Sequence, residues 1–405
     1  MAKIAVLGYG TVGSGVVEVL DVNKDIIAKR AGEEISVRYV LDLKDFPGTS
    51  VENLIVHDFE QIVCDKEIEV VVEVMGGIEP AYTFVKRSLE AGKSVVTSNK
   101  ALVAKHGAEL LKTAKEHHVN FLFEASVGGG IPIIRSLNHA LTGDVIEEIT
   151  GILNGTTNYM MTKMFYDGAD YAEVLKEAQD NGYAERNPEA DVEGYDACRK
   201  IAILSSIISG KYVNFEDIYT EGITKMTTRD IRYAKKMGMT IKLLASAKRE
   251  DDELSAIVAP FLLMPSHPLY NIDGVFNSVF VKGNMLGDAM FYGSGAGKLP
   301  TASAVVGDIV DVVKNRDKDV MAFWTEEALT LENKGDAKRK FFVRMKGQKE
   351  ELLEKVETVL GPVTAITLED EPNEFGFITR RMKESAYEAA AAGFSNILQM
   401  IRVEE

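Results

Sequence analysis

The sequence predicts an α/β protein that begins with a doubly wound parallel sheet. Three observations predict this fold class. Short apolar runs alternate with helix-like stretches through residues 1–145, a glycine-rich segment follows the first apolar run, and the length of 405 residues allows about two or three domains. Strands that alternate with helices need right-handed crossover connections, which give a parallel sheet with helices on both faces.

The predicted elements divide the chain into three parts. In residues 1–145, strands are expected at 4–7, 36–41, 70–74, 94–97 and 120–123, and helices at 15–20, 81–91 and 108–117. Residues 146–300 read as an α+β domain, with a strand at 145–153, helices at 171–181 and 196–209, and strand-like pieces at 254–281 broken by Pro260, Pro265 and Pro268. A helix at 301–314 is expected to return the chain to the first domain, so residues 301–331 form that helix and a linker.

Residues 338–405 follow a polar linker and show a βαββαβ order. Strands are predicted at 340–345, 364–368, 375–380 and 397–402, and helices at 349–360 and 384–392. This order is the ferredoxin-like pattern, and the segment looks like an ACT domain, a module that binds amino acids. The alternative is a module that serves only packing or dimerisation, because a fold alone does not determine a function.

Charge and cysteine content exclude several classes of partner. The chain has 46 Lys and Arg residues against 62 Asp and Glu residues, a formal net charge of −16. Such an acidic surface repels nucleic acid and anionic membranes, so we expect neither as a partner. The N-terminus has no signal-peptide pattern, and two cysteines, Cys64 and Cys198, cannot build a disulfide framework. We expect a cytoplasmic protein.

The first predicted strand leads directly into the motif Gly8-Tyr9-Gly10-Thr11-Val12-Gly13, which opens a helix. In a dinucleotide-binding Rossmann domain, the first glycine permits the tight turn, the second lets backbone N–H groups approach the pyrophosphate, and the third lets the helix pack on the strand. The helix N-terminus then favours the anion. We therefore expect residues 1–145 to bind NAD or NADP, and the alternative is a glycine-rich turn without a ligand.

The choice between NAD and NADP depends on the end of the second strand. Asp42 lies there and would accept hydrogen bonds from a ribose while repelling a 2′-phosphate, which favours NAD. Lys44 lies close by and would favour a phosphate, so NADP stays open. The spacing from Gly13 to Asp42 is unusually long and predicts one long intervening helix. Alternatively, Asp42 is a turn residue at a strand end.

Two further segments follow predicted strands and carry polar or glycine residues. Thr97 and Lys100 lie beyond the strand at 94–97, where ligands bind in doubly wound sheets. Lys100 could hold a substrate carboxylate or polarise a carbonyl, or it is a solvated surface charge.

Gly128-Gly129-Gly130 cost conformational entropy on folding, which indicates a close backbone approach or a crossing loop between domains. Gly297 precedes a helix and suits a second cofactor contact or a hinge.

A carboxylate and a lysine share one helix face downstream. Asp196 and Lys200 are spaced i,i+4, and on a surface such a pair contributes only about 0.3–0.5 kcal/mol. With Glu185 and Asp191 nearby, the acids suit binding of a substrate ammonium. A lysine with a pKa near about 10.4 is a poor base at neutral pH, so burial or a second cation such as Lys100 would have to lower it.

Taken together, these segments resemble homoserine dehydrogenases along nearly the whole chain. The motifs that carry the resemblance are Thr97-Ser98-Asn99-Lys100-Ala101, Glu124 to Pro132, Gly151-Ile152-Leu153-Asn154-Gly155-Thr156-Thr157-Asn158, the stretch from Gly182 to Lys200, and Gly293 to Thr301. The resemblance implies NAD(P)-dependent interconversion of L-homoserine and L-aspartate 4-semialdehyde, in the aspartate pathway towards threonine and methionine. It also implies that residues 146–300 form the catalytic, substrate-binding and dimerisation domain.

The resemblance also implies roles for single residues. Lys200 would be the general acid/base, Lys100 would face cofactor and substrate, and Glu185, Asp196 and, less strongly, Asp191 would contact the amino acid. Cofactor contacts would come from Gly8, Gly10, Thr11, Val12, Gly13, Asp42, Thr97, Lys100 and Gly297. A monovalent cation, Na⁺ or K⁺, would be held at Glu124, Val127, Gly129 and Ile131. Many family members carry alanine at the Gly129 position, which should leave a carbonyl ligand in place.

Other interpretations remain open on the sequence. Another NAD(P)-dependent dehydrogenase of amino-acid metabolism is the nearest, but an acyl-enzyme mechanism needs a cysteine with a histidine partner, and neither Cys64 nor Cys198 has a suggestive neighbourhood. A second alternative interpretation is a nonenzymatic sensor that binds the cofactor. An amino-acid effector of the C-terminal domain, threonine by analogy with the family, and a homodimer or homotetramer are further expectations.

Overall fold

The computed structural model describes residues 1–250 and 253–404. Its contacts group the chain into two compact units. The first consists of residues 1–145, 202–215 and 291–329, and the second consists of residues 146–201, 216–290 and the chain from residue 330 onward. Within the described ranges, no helix is both long and apolar enough to cross a membrane.

Residues 1–145 alternate strands and helices. They form β1 (Ala2–Leu7), α1 (Thr11–Val22), α2 (Lys24–Ala31), β2 (Ile35–Leu41), β3 (Ile55–Val56), α3 (Glu60–Val63), β4 (Ile68–Glu73), α4 (Ala81–Glu90), β5 (Ser94–Thr97), α5 (Lys100–Glu116), β6 (Phe121–Leu122) and α6 (Ile133–Arg135). The six strands make one parallel sheet in the order β3-β2-β1-β4-β5-β6. This order reverses between β1 and β4 and is that of a dinucleotide-binding sheet. The predicted Rossmann-type sheet is confirmed.

The connection between β1 and β2 differs from the prediction. The expected single long helix is wrong, because α1 and α2 are separated at Asn23. The Asn23 N–H donates to the Val19 carbonyl at 3.1 Å, and the Asn23 carbonyl accepts the Ile27 N–H at 3.0 Å. Asn23 thus ends one helix and begins the next, and this pair of helices accounts for the long spacing between Gly13 and Asp42.

The middle of the chain contributes helices and a long antiparallel ladder. Its elements are β7 (Ile146–Ile152), α7 (Gly155–Asp167), α8 (Tyr171–Asp180), α9 (Glu189–Val192), α10 (Tyr195–Ser209), β8 (Lys211–Tyr212), β9 (Tyr219–Thr220), α11 (Thr228–Lys236), β10 (Thr240–Glu250), β11 (Glu253–Leu263), β12 (Phe276–Gly283), β13 (Gly287–Ser294), α12 (Lys298–Lys314) and β14 (Thr325–Ala328). Helix α12 packs on α1 within the first unit. A Cβ atom at Gly15 would lie 2.8 Å from the Lys298 carbonyl oxygen, so α1 accepts only glycine there.

The C-terminal elements follow the predicted order with one short strand added. They are β15 (Lys338–Lys346), α13 (Lys349–Leu360), β16 (Thr364–Ile366), β17 (Glu374–Ile378), β18 (Met382–Lys383), α14 (Glu384–Ala391) and β19 (Ile397–Glu404). Strands β19, β15, β17 and β16 are neighbours in that order and antiparallel. Strand β19 also pairs in parallel with β11, so a single mixed sheet runs through the second unit. Apolar side chains of β15, β17, α13 and α14 share one core cluster.

The predicted break of the strand at Pro260 is wrong, because β11 runs through this residue. Val258 turns its carbonyl towards β9 and accepts the Glu221 N–H at 2.8 Å. Pro260, two residues on, turns its nitrogen to the same edge. Along this edge of β11, the pairing with β9 ends at Val258 and the pairing with β19 starts at Phe261. The missing N–H of proline therefore falls in a gap between two neighbours and costs no ladder hydrogen bond.

Candidate active site

The glycine turn after β1 leaves no room for side chains where α1 begins. Gly8 has a φ of +95°, and a Cβ atom at Gly13 would lie 2.0 Å from the Gly8 carbonyl oxygen. Beside Gly10, by contrast, nothing lies within 4 Å of a Cβ position. Gly10 also has no side chain with which to cap α1. The first N–H groups of α1 are therefore available to an anion in the space beside Gly10.

Asp42 follows β2 directly and holds the glycine turn. One carboxylate oxygen accepts the Tyr9 N–H at 2.8 Å, and the other accepts the Lys44 N–H at 3.1 Å. The ring of His57 lies 2.7 Å from the Asp42 carbonyl and 3.1 Å from an Asp45 carboxylate oxygen. Asp42 is thus a turn residue at the strand end, and it also lies beside the turn where a dinucleotide would bind. The two interpretations of Asp42 are compatible.

The carboxyl ends of β4 and β5 hold a polar network that the sequence did not reveal. Glu73 is completely buried at the end of β4 and accepts the Thr97 hydroxyl at 2.6 Å. Asn99 caps α5 by accepting the Leu102 N–H at 3.1 Å, and Lys100 is the first residue of that helix. The available signal was a carboxylate that ends an otherwise apolar run of valines. The structure therefore places Thr97 and Lys100 at the edge of the sheet where ligands bind.

The three consecutive glycines contact a second glycine segment. A Cβ atom at Gly129, which has a φ of +59°, would lie 2.4 Å from the backbone of Gly295, and the Gly130 N–H donates to the Ser294 carbonyl at 3.0 Å. The close approach predicted from the sequence is therefore made by the chain itself. Gly297, with a φ of +114°, follows on this segment and precedes α12.

Glu124 begins this loop, and its carboxylate accepts backbone hydrogen bonds from the following helix, α6. The carboxylate oxygens accept the N–H groups of Ile134 at 2.9 Å and Arg135 at 2.7 Å. Asp308 of α12 accepts the Glu124 N–H at 2.9 Å and an Arg135 guanidinium N–H at 2.7 Å. Burial raises the pKa of Asp308 to about 7. This contact joins residues 184 positions apart, which is why the sequence did not reveal it.

A cation at the predicted loop would depend on backbone oxygens. The carbonyls of Glu124, Val127, Gly129 and Ile131 lie in this loop, and that of Ile131 already accepts the Ile133 N–H at 2.9 Å. Over residues 1–250 and 253–404, no three His, Cys, Asp or Glu side chains are grouped so as to hold a metal ion. The cation site stays a prediction.

In the second unit, Lys200 and Asp196 form a buried ion pair. The Lys200 Nζ lies 2.7 Å from an Asp196 carboxylate oxygen and 2.7 Å from the Leu153 carbonyl. Lys200 is 7% exposed and Asp196 is 4% exposed. The surface salt bridge that the i,i+4 spacing also allowed is therefore excluded by burial.

Asn154 links this pair to a second carboxylate. Its amide nitrogen donates to Asp191 at 2.7 Å and to Asp196 at 3.0 Å, while its oxygen accepts the Thr157 N–H and so caps α7. The structure thus brings Asp191, Asp196 and Lys200 together. Asn154 belongs to the set although its individual contact was not predicted. Glu185 lies on an exposed loop, and its carbonyl accepts a hydrogen bond from Gln179.

The two cysteines differ from a catalytic thiol. Cys64 is exposed at the end of α3, and Cys198 is buried in α10. Burial raises the pKa of the Cys198 thiol, so this side chain is held in the weakly nucleophilic thiol form. An acyl-enzyme mechanism gains no support from either residue.

Comparisons with known proteins agree with this geometry. A family model described as the homoserine dehydrogenase NAD binding domain matches residues 8–124, and the homoserine dehydrogenase model matches residues 132–310. A homoserine dehydrogenase of Bacillus subtilis is 42% identical over 320 residues, which are 77% of this chain and 73% of the relative. The chain belongs to the homoserine dehydrogenase family. As a homoserine dehydrogenase, it is an NAD(P)-dependent oxidoreductase that acts on a CH–OH group, and residues 8–124 contain its nucleotide-binding region.

Solved homoserine dehydrogenases also share the fold. One from Thiobacillus denitrificans superposes with a TM-score of 0.92 at 36% identity and covers 100% of this chain and 98% of its own. A hyperthermophilic archaeal homoserine dehydrogenase in complex with NADPH has a TM-score of 0.67 at 27% identity and covers 79% of this chain and 99% of its own. Part of the present chain therefore has no counterpart in that shorter enzyme.

Proposed function

We propose that this homoserine dehydrogenase interconverts L-homoserine and L-aspartate 4-semialdehyde, with Lys200 as the proton-transferring residue. The buried Lys200–Asp196 pair, joined through Asn154 to Asp191, carries the proposal. An ion pair taken out of water is costly unless it is well hydrogen-bonded. The extra bonds to Leu153 and Asn154 meet this requirement and hold the ammonium in one orientation.

A bound nicotinamide cofactor would supply the hydride in the reductive direction and accept it in oxidation. During reduction, Lys200 would protonate the alkoxide that develops on the aldehyde oxygen, directly or through water, and Lys100 would stabilise its negative charge or hold the substrate carboxylate. In oxidation, Lys200 would receive the hydroxyl proton as a neutral amine and become the ammonium. Asp196, Asp191 and Glu185 would contact the amino acid, since carboxylates suit a substrate ammonium.

The cofactor would lie along Gly8, Gly10, Thr11, Val12 and Gly13, with its ribose near Asp42. The open space beside Gly10 and the uncapped start of α1 support this placement, and Thr97, Lys100 and Gly297 are proposed as further contacts. We propose a division into residues 1–145, 146–300, 301–331 and 338–405. The packing of α12 on α1 supports the return of residues 301–314 to the first of these, whereas residues 202–215 group with residues 1–145 and not with the rest of the middle part.

Cofactor choice can be tested at Asp42. We expect Asp42→Asn to raise the ratio of kcat/KM for NADP to that for NAD by about tenfold, which is about 1.4 kcal/mol, because the substitution removes a negative charge that would repel the 2′-phosphate. The same steady-state assay of Asp45→Asn is the control, since Asp45 is exposed and faces His57. An unchanged ratio in Asp42→Asn, or an equal rise in Asp45→Asn, would place the ribose elsewhere.

The reaction itself has a direct test. Purified protein is expected to reduce NAD or NADP in the presence of L-homoserine, followed by NAD(P)H absorbance, and to run in reverse with L-aspartate 4-semialdehyde. L-Serine, one methylene shorter, is the matched control and should react far more slowly, because its hydroxyl carbon cannot reach the same position. Absence of homoserine-dependent turnover with both cofactors would refute the proposed reaction.

Three further features belong to the proposal. Backbone carbonyls at Glu124, Val127, Gly129 and Ile131 would hold Na⁺ or K⁺.

Residues 338–405 would be an ACT-like domain with an amino-acid effector such as threonine, which the βαββαβ order supports. The chain would act as a homodimer or homotetramer, and its two free cysteines fit the reducing cytoplasm.

A further inference from the structure

A completely buried carboxylate lies at the carboxyl end of β4, beside the point where the sheet order reverses. One oxygen of Glu73 accepts the N–H groups of Met75 at 2.9 Å and Gly76 at 3.3 Å, and the other accepts the Thr97 hydroxyl at 2.6 Å. Burial raises the pKa of the Glu73 carboxyl, and these hydrogen bonds oppose the rise. The two backbone N–H groups can only donate and so require an acceptor oxygen, and the Thr97 hydroxyl donates to the other oxygen.

The network continues from Thr97 to the start of α5. The Thr97 hydroxyl accepts the Asn99 N–H at 2.9 Å, so its own hydrogen is directed to Glu73. Asn99 in turn accepts the Leu102 N–H and donates to the Gly77 carbonyl at 2.5 Å. Lys100 is the next residue. Its backbone is therefore held by hydrogen bonds that begin at Glu73.

The other side of the network reaches the glycine turn. Gly76 and Gly77 have φ values of +80° and +74°, so the turn after β4 has a conformation that L side chains rarely adopt. Glu73 holds this turn through two backbone N–H groups. Met75, the first residue of the turn, packs on the glycine motif. A Cβ atom at Gly8 would lie only 3.1 Å from the Met75 side chain.

We propose that Glu73 is a positioning residue that sets two parts of the cofactor edge at once, the turn 75–77 against Gly8 and the start of α5 with Lys100. The inference rests on the proposed function only in taking this edge as the cofactor site. Glutamine is a poor replacement for Glu73, since its amide NH₂ would either face the backbone N–H groups of Met75 and Gly76 or make the Thr97 hydroxyl an acceptor and turn its hydrogen to another direction. A substitution that disturbs both the turn 75–77 and the start of α5 should therefore differ in effect from one that disturbs only the start of α5.

The test uses Glu73→Gln and Thr97→Val in the full-length chain. Glu73→Gln should weaken binding of NADPH or NADH, whichever binds the parent more tightly, and lower kcat, each by about tenfold to a hundredfold, since a misplacement of about 1 Å has effects of this size. Thr97→Val leaves the turn held by Glu73, so we expect kcat at saturating cofactor to fall about tenfold while Kd rises less than it does in Glu73→Gln. Thr97→Ser, which keeps the hydroxyl, should recover much of this kcat. Binding is measured by nucleotide fluorescence without substrate.

Lys93→Met is the matched control. Lys93 is also buried, at 3% exposure, and its Nζ donates to the Ile68 carbonyl at 3.1 Å, at the opposite ends of the same two strands. This variant should lower the Tm but keep Kd and kcat near the parent values. Parent-like Kd and kcat in Glu73→Gln, or equal losses in Lys93→Met, would overturn the proposal. If Glu73→Gln does not fold, an unchanged kcat in Thr97→Val overturns it. Cofactor binding without homoserine turnover in the parent would instead refute the proposed reaction and leave the Kd comparison valid.

Discussion

Lys200→Met is expected to lower kcat by about 10²- to 10⁴-fold, which is the usual contribution of a positioned general acid or base. Methionine keeps most of the side-chain volume and removes the ammonium that donates to Asp196 and to the Leu153 carbonyl. The Kd of the nicotinamide nucleotide should stay within about twofold, because the loss falls on the chemical step. Steady-state kinetics and nucleotide fluorescence measure the two quantities.

A second buried lysine provides the control for this experiment. Lys242 is 1% exposed and donates to the Ile272 carbonyl at 2.6 Å and to Asp273 at 2.8 Å. It therefore repeats the arrangement of Lys200, with one backbone carbonyl and one carboxylate, but its partners are different residues. Lys242→Met should cost similar stability and retain turnover. Near-parental kcat in Lys200→Met, or an equal loss in Lys242→Met, would remove Lys200 from the mechanism.

Arg402→Met is expected to destabilise the protein by about 3–5 kcal/mol, the usual cost of removing one partner of a buried ion pair. Arg402 of β19 is 1% exposed and donates to Glu384 at 2.5 Å and to Glu221 at 2.9 Å. Glu384 is completely buried, so its charge would lose its main partner. Urea unfolding followed by circular dichroism measures the free energy of unfolding.

The control for this prediction is an exposed ion pair in the same segment. Lys383 and Asp336 are each about half exposed, so Lys383→Met should cost less than about 1 kcal/mol. Adding Glu384→Gln to Arg402→Met should recover only part of the loss, because the completely buried Glu384 charge is removed while Arg339 and Lys334 also lose this carboxylate. A loss in Arg402→Met no larger than that in Lys383→Met would contradict the assignment.

The same pair predicts a dependence of stability on pH. Burial alone would raise the pKa of Glu384, but the hydrogen bonds and charge of Arg402 outweigh it, and the pKa is lowered. The contribution of Glu384 to stability is therefore complete above its unfolded pKa of about 4.3 and is lost as the pH falls through the lower folded value. In Arg402→Met this acid-side dependence should weaken.

Local signals predicted the elements whose limits lie next to glycine or polar residues. Strand β5 and helix α13 begin and end at the predicted residues, and glycines with positive φ precede or follow them at Gly92 and Gly361. The Asp196–Lys200 contact was predicted because helix geometry alone places residues four apart on one face. Its burial was not predicted, because neighbouring elements decide it.

Contacts between distant segments were beyond the sequence. Glu73 and Thr97 meet because β4 and β5 are adjacent and in register, and Asp308 meets Glu124 only once α12 has returned to the first unit. The sequence predicts a strand break at Pro260, because whether a strand tolerates proline depends on which neighbouring strand its nitrogen faces. None of these contacts can be predicted from a short stretch of neighbouring residues.

The amino-acid sequence by itself determined the α/β class, the glycine turn after β1 and the family of this chain, because each depends on periodicity or on residues that are contiguous. The tertiary structure alone decided that Lys200 and Asp196 are buried with Asn154, that Glu73 joins two strand ends, and that β19 extends the sheet of the second unit. The physical reason is that hydrogen-bond partners and burial are set by which elements pack together, and packing depends on the whole chain.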